Sequence, residues 1–115
     1  MAGGNIMMYE YFLTVGLNDK DSLKQEIPTD TAKNTIAEIL INDFDIFAFT
    51  MIDCEGVYKM ESNGKIIREK SVRIEIAADE NLTKETVLKI IGKLKTALNQ
   101  ESIMMKMCKS NIDFI

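Results

Sequence analysis

Between Tyr9 and Leu17 apolar side chains recur at every second position: Tyr9, Tyr11, Leu13, Val15 and Leu17 share one face, and Glu10, Phe12, Thr14 and Gly16 the other. A period of two belongs to a strand with one buried side, so residues 8–17 are read as the first strand. Asn18-Asp19-Lys20-Asp21 ends it, because short amides and carboxylates satisfy backbone groups outside regular structure. A loop follows to Pro28. Thr29 and Asp30 both suit an N-cap, and Ala32, Ile36, Ile39 and Leu40 then recur at helical spacing, which predicts a helix over 30–42. The aromatic and branched run from Ile46 to Met51 reads as a second strand continuing through Gly56-Val57-Tyr58 to a turn at Ser62-Asn63-Gly64-Lys65, where Asn-Gly tolerates positive φ. The returning strand, Ile66 to Ala77, sets Val72, Ile74 and Ile76 against Glu69, Ser71, Arg73 and Glu75. Asn81-Leu82-Thr83 opens a second helix whose stripe of Val87, Ile90, Ile91, Leu94 and Leu98 lies opposite Lys89, Lys93 and Lys95. Its interior Gly92 costs about 1 kcal/mol relative to alanine and so implies close packing against a neighbour. The last strand covers Ser102 to Met107, with a resumption at Ile112 to Ile115.

The order β-α-β-β-α-β predicts an α+β, ferredoxin-like fold: a four-stranded antiparallel sheet with two helices on one face. The first and third strands are then central and the opposite face is open, with Phe12, Thr14, Ser71, Arg73 and Glu75 at its middle. A chain of 115 residues has the size of one domain and buries roughly 65% of its unfolded surface. The reading is a flexible lead-in over 1–7, marked by Gly3-Gly4, and a single α+β domain over 8–115. The start lacks the basic and apolar regions of a secretory leader, and no run nears the ~18 apolar residues of a membrane span, so a cytoplasmic protein is expected.

The net charge of -4 is spread over interspersed acids and bases, without the basic stripe that duplex binding needs, and argues against nucleic acid as a partner. There is no histidine. Zinc sites of the usual composition and imidazole bases are thereby excluded, and no metal or cofactor is expected. Cys54 and Cys108 lack CxxC spacing and read as thiols. The isolated Gly56, Gly64 and Gly92 form no phosphate loop.

Glu69 and Glu75 share one strand face, but six residues at ~3.3 Å each separate them by roughly 20 Å, too far to act on one bond. Arg73 beside Glu75 reads either as an anchor for an anionic ligand or as a surface ion pair. Gln100-Glu101-Ser102, between the second helix and last strand, reads either as a helix stop or as the polar end of a cleft. Met104, Met105 and Met107 fill a core or form an adaptable surface. An open sheet face with Phe12, Met51 or Ala48, and Met104 predicts self-association into a homo-oligomer that encloses a small-ligand cavity.

The ordered set Gly56-Val57-Tyr58, Asn63-Gly64-Lys65-Ile66-Ile67-Arg68-Glu69-Lys70-Ser71 and Asn99-Gln100-Glu101-Ser102-Ile103 resembles domain of unknown function 3574, a family of small bacterial and phage proteins. The resemblance spans roughly residues 9–107 and adds weight to Tyr58, Glu69, Gln100, Glu101 and Ser102. With Arg73 and Glu75 these make the expected ligand-binding set. The opening Gly-Leu-Asn-Asp-Lys-Asp resembles phage and mobile-element versions, which implies an anti-defence protein. The expected function is capture of a small polar ligand, such as a nucleotide-derived immune signal, without conversion. The alternatives are a dimeric α+β-barrel enzyme using Glu69 or Tyr58 as acid or base, and an inhibitor that binds a host defence enzyme.

Overall fold

A computed structural model describes residues 5–77, 82–113 and 115. Its elements are β1 (Asn5–Gly16), α1 (Thr29–Glu38), a π-helical turn (Ile39–Asp43), β2 (Thr50–Lys59), β3 (Ile66–Ala77), α2 (Lys84–Ala97) and β4 (Met104–Asp113). The strands form one sheet in the order β2-β3-β1-β4, with every neighbouring pair antiparallel. This is the ferredoxin-like α+β arrangement, with β1 and β3 central as the order of elements predicts.

The alternating face of β1 and β3 supplies half of the core. Tyr11, Leu13, Val15 and Leu17 meet Val72, Ile74 and Ile76, and these pack under Ala32, Ile36, Ile39 and Leu40 from the first helix and Val87, Ile90, Leu94 and Leu98 from the second. Leu13, Ile36, Leu40, Ile74, Ile90 and Leu94 are wholly inaccessible. Truncating any of them to alanine costs about 2–5 kcal/mol through lost transfer energy and the cavity left behind.

Four local expectations are corrected. The first helix caps on Pro28, with no side-chain cap bond, rather than on Thr29 or Asp30, and its last turn widens into the π-helical segment. The second strand begins at Thr50, not Ile46: Asp45 takes a positive φ of 55°, and Ile46 and Phe49 reach the core from irregular backbone. Gly92 faces open space, since a Cβ there would meet nothing within 4 Å among the described residues, so close packing does not account for it. The backbone of Asn5, Ile6 and Met7, assigned to the lead-in, pairs with Asp113, Ile112 and Asn111 and so lengthens β1. The expected helix opener Asn81 lies outside the described residues; Thr83 caps α2, accepting a hydrogen bond from the Thr86 amide.

The sheet is skewed. β1 pairs with β3 only from Glu10 to Gly16, so Glu55–Lys59 of β2 and Ile66–Lys70 of β3 run past it as a two-stranded arm. That arm closes through Gly64, which has φ 70° and donates its amide to the Met60 carbonyl. At the opposite corner Asn5–Tyr9 and Lys109–Asp113 form a second two-stranded extension. Cys54 on β2 and Cys108 on β4 are free thiols on the two edge strands.

Candidate functional site

Where β1 ends and the β2–β3 arm begins, the open sheet face dips into a pocket of about 510 Å³. Such a volume holds a ligand of nucleoside size. Its floor is the sheet: Thr14 and Gly16 of β1, Glu69 and Ser71 of β3, Gly56 of β2. Tyr58 and Val57 on the arm form one wall, and Gln100, Glu101, Ser102 and Met104 the other. The β1–α1 loop, Asn18 to Leu23, closes the end.

Two glycines make the floor. The Glu69 carboxylate lies directly on Gly16, so a side chain there would force the carboxylate to move, and a Cβ on Gly56 would come within 3.2 Å of Ser71 Oγ. The loop then holds the carboxylate from above, because the Asn18 amide donates to Glu69 Oε2 at 3.0 Å. Charge-assisted bonds of this kind are about twice as strong as neutral ones. Tyr58 sits nearby, and partial burial, reinforced by the negative charge of Glu69, raises its phenol pKa above the ordinary tyrosine value. At neutral pH it is therefore a hydrogen-bond donor and not a base.

A second layer ties the loop to the end of α2. Asn99 takes φ 48° immediately after the helix, and the Gln100 amide returns to the Lys95 carbonyl at 2.9 Å, the six-to-one bond of a Schellman stop. The side chain of Asn99 reaches across to Asp19 Oδ1 at 2.8 Å and Asp21 Oδ2 at 2.9 Å. That amide, together with the backbone N–H groups of Ser22 and Asp21, holds the Asp19 carboxyl below its ordinary range. The Gln100 side chain donates to the Asn18 carbonyl at 2.9 Å and the Leu98 carbonyl at 3.2 Å. Gln100-Glu101-Ser102 is thus helix stop and cleft wall at once.

Of the seven residues singled out from sequence, the pocket gathers Tyr58, Glu69, Gln100, Glu101 and Ser102. Arg73 and Glu75 lie farther along the open face, paired at 3.3 Å, with the Arg73 guanidinium 4.8 Å from the Phe12 ring centre. Asn18, Asp19, Gly16 and Ser71 were missed as site residues. Asn18 and Asp19 read only as turn formers in one dimension, whereas their role depends on bonds to residues 51 to 82 positions away. Among the described residues, the pocket's charged lining is Asp19, Glu69 and Glu101 against Lys20. Three carboxylates against one ammonium favour a cationic ligand and oppose phosphates.

Among solved structures, this chain is similar to a phage SAM lyase in complex with S-methyl-5′-thioadenosine, with a TM-score of 0.66 and 28% identity over 98% of this chain and 87% of that one. It is also similar to a phage SAM lyase in the apo state, with a TM-score of 0.60 and 26% identity over 95% of this chain and 86% of that one. CutA from Synechococcus elongatus shares the fold at a TM-score of 0.62 and 12% identity, covering 94% of this chain and 83% of its own. No protein-family model matches the chain, and no curated protein sequence does.

Proposed function

We propose that this protein is a lyase acting on S-adenosylmethionine or a closely related adenosyl sulfonium, releasing S-methyl-5′-thioadenosine. The observation that carries the reading is the acidic pocket, with Glu69 on its floor, in a chain similar over almost its whole length to a phage SAM lyase. S-adenosylmethionine carries a sulfonium and an ammonium, the charges that Asp19, Glu69 and Glu101 attract. An anionic nucleotide signal would meet the opposite field, so the cationic substrate replaces it as the favoured ligand class.

The bond that must break joins sulfur to the γ-carbon of the methionine part, and its electron pair neutralises the sulfonium. A lyase adds no water. An isolated carboxylate is too weak a base for the unactivated neighbouring C–H, so the substrate's own carboxylate oxygen is the nucleophile, closing a five-membered lactone that keeps the ammonium charge. Atoms and charge then balance without an external acid or base. What the protein supplies is orientation: a folded substrate with carboxylate and leaving sulfur on opposite sides of one carbon. In this scheme Glu69 holds the cationic end of the substrate and the Tyr58 hydroxyl donates a hydrogen bond. Removal of a methyl donor would disarm host defences that depend on it, in keeping with a phage-type anti-defence role in the cytoplasm.

The test is incubation of purified protein with S-adenosylmethionine, followed by chromatography of the nucleoside products. The expected outcome is S-methyl-5′-thioadenosine from wild type and a kcat/KM about 100-fold lower for Glu69→Gln, the ~3 kcal/mol of a hydrogen bond to a charged group. Intact S-adenosylmethionine recovered after heating a saturated sample would instead establish sequestration. No binding and no turnover would sink both.

A further inference from the structure

The polar contacts beside the pocket form a directed chain. Both hydrogens of the Gln100 side-chain amide are committed to backbone carbonyls, of Asn18 and Leu98. Its orientation is fixed, because a flipped amide would set its oxygen against two other carbonyl oxygens. Gln100 is 9% exposed, so water is a poor substitute for those contacts. The Asn18 residue it grips offers its own N–H to Glu69 Oε2. On the far side, Gly16 leaves the carboxylate space to lie flat on β1. Gln100 therefore meets Asn18 at its carbonyl while Glu69 meets it at its amide, and one residue's backbone links them.

We infer that Gln100 is a positioning residue for the site: acting through the Asn18 backbone, it sets where the Glu69 carboxylate stands in the pocket. The helix stop is what makes this rigid. Asn99 in the left-handed region turns the chain so that the Gln100 side chain re-enters the fold, and its own side chain ties down Asp19 and Asp21, the next residues of the same loop. A glycine would end α2 equally well but could not tie the loop. The inference rests on the reading of Glu69 as the carboxylate that holds substrate. The chain of contacts itself needs no ligand.

The experiment compares wild type with Gln100→Met, which keeps length and volume without donors, and with Gln100→Glu, which keeps shape, each checked for a cooperative melt. Glu69→Ala serves as the reference for a missing carboxylate. The ligand-free readouts are the Asn18 amide resonance and its exchange protection, and the phenolate titration of Tyr58, assigned with Tyr58→Phe. Expected in both Gln100 variants is an Asn18 amide moved toward its position in Glu69→Ala, with about tenfold less protection, and in Gln100→Met, which adds no charge, a Tyr58 that ionises at lower pH than in wild type. With S-adenosylmethionine, kcat falls about tenfold, or ~1.4 kcal/mol, while KM changes less than threefold. An Asn18 amide and a Tyr58 titration that stay at wild-type values in folded variants, while Glu69→Ala moves both, would overturn the inference. So would a displaced amide with kcat untouched. Should wild type prove inert toward S-adenosylmethionine, the lyase reading falls alone, and the two ligand-free readouts still decide the role of Gln100.

Discussion

Glu69 faces its surroundings through three different kinds of contact, and each has its own signature. Gly16 gives it space, Asn18 gives it a donor, and Tyr58 shares its field. The last of these is the easiest to read out. Tyr58 has a raised pKa caused first by burial and second by Glu69. For a phenol held neutral in the fold, the associated stability is complete below the unfolded value of about 10 and is lost as pH rises through the higher folded value. Glu69→Gln should lower the Tyr58 midpoint only part of the way to that of a free tyrosine, because burial, the larger cause, survives. Near-ultraviolet phenolate absorbance across an alkaline titration checks this; an unchanged midpoint would remove the coupling between the two side chains. At this scale the sequence was informative about Glu69, whose facing in β3 follows from counting by twos, and about Tyr58 through the family resemblance. It was silent about Asn18, whose contribution is a backbone amide that any residue but proline would carry.

Among the elements, α2 holds a defect. Gly92 lies in the middle of this helix, exposed, and a methyl group there would touch nothing. Glycine in such a place costs the folded state backbone entropy with no packing in return. Gly92→Ala should therefore stabilise the protein by about 0.5–1 kcal/mol, measured as a higher midpoint in urea with an unchanged slope. A destabilised variant would mean that the position serves a contact absent from the single chain. The helix stop shows the opposite case, since Asn99 occupies a glycine-favouring conformation and uses its side chain. Periodicity located α2 and its buried stripe because the stripe is long and regular. It misplaced the start of β2, where Ile46 and Phe49 are apolar for the sake of the core yet sit on irregular backbone. Apolar composition alone does not distinguish a strand from a packed loop.

Across the whole molecule, the helices cover one side of the sheet and the other carries Phe12, Ile52 and Met104 among Arg73, Glu75 and Lys106. Ile52 and Met104 are exposed, and Arg73 Nε is buried with no hydrogen-bond partner among the described residues. Apolar area of this kind, beside an unsatisfied guanidinium donor, is what a second copy would cover. Native mass spectrometry should find a homo-oligomer, and Met104→Glu together with Phe12→Glu should shift it toward monomer; a wild-type monomer at micromolar concentration would refute self-association. The open face was legible in the sequence because the alternation of β3 is polar on one side only. The pocket was not, since it arises where the skewed sheet, the arm and the α2 stop converge, and only tertiary geometry brings those together.

The predominance of acidic groups around the hollow carries a kinetic corollary for the proposed reaction. Scission turns a sulfonium into an uncharged thioether, so the attraction that draws the reactant in vanishes from the nucleoside half at the instant of bond breaking. The spent nucleoside should then leave readily and compete feebly with fresh reactant, and added salt should weaken capture far more than it slows departure. A site built on phosphate-binding backbone could not clear itself in this way.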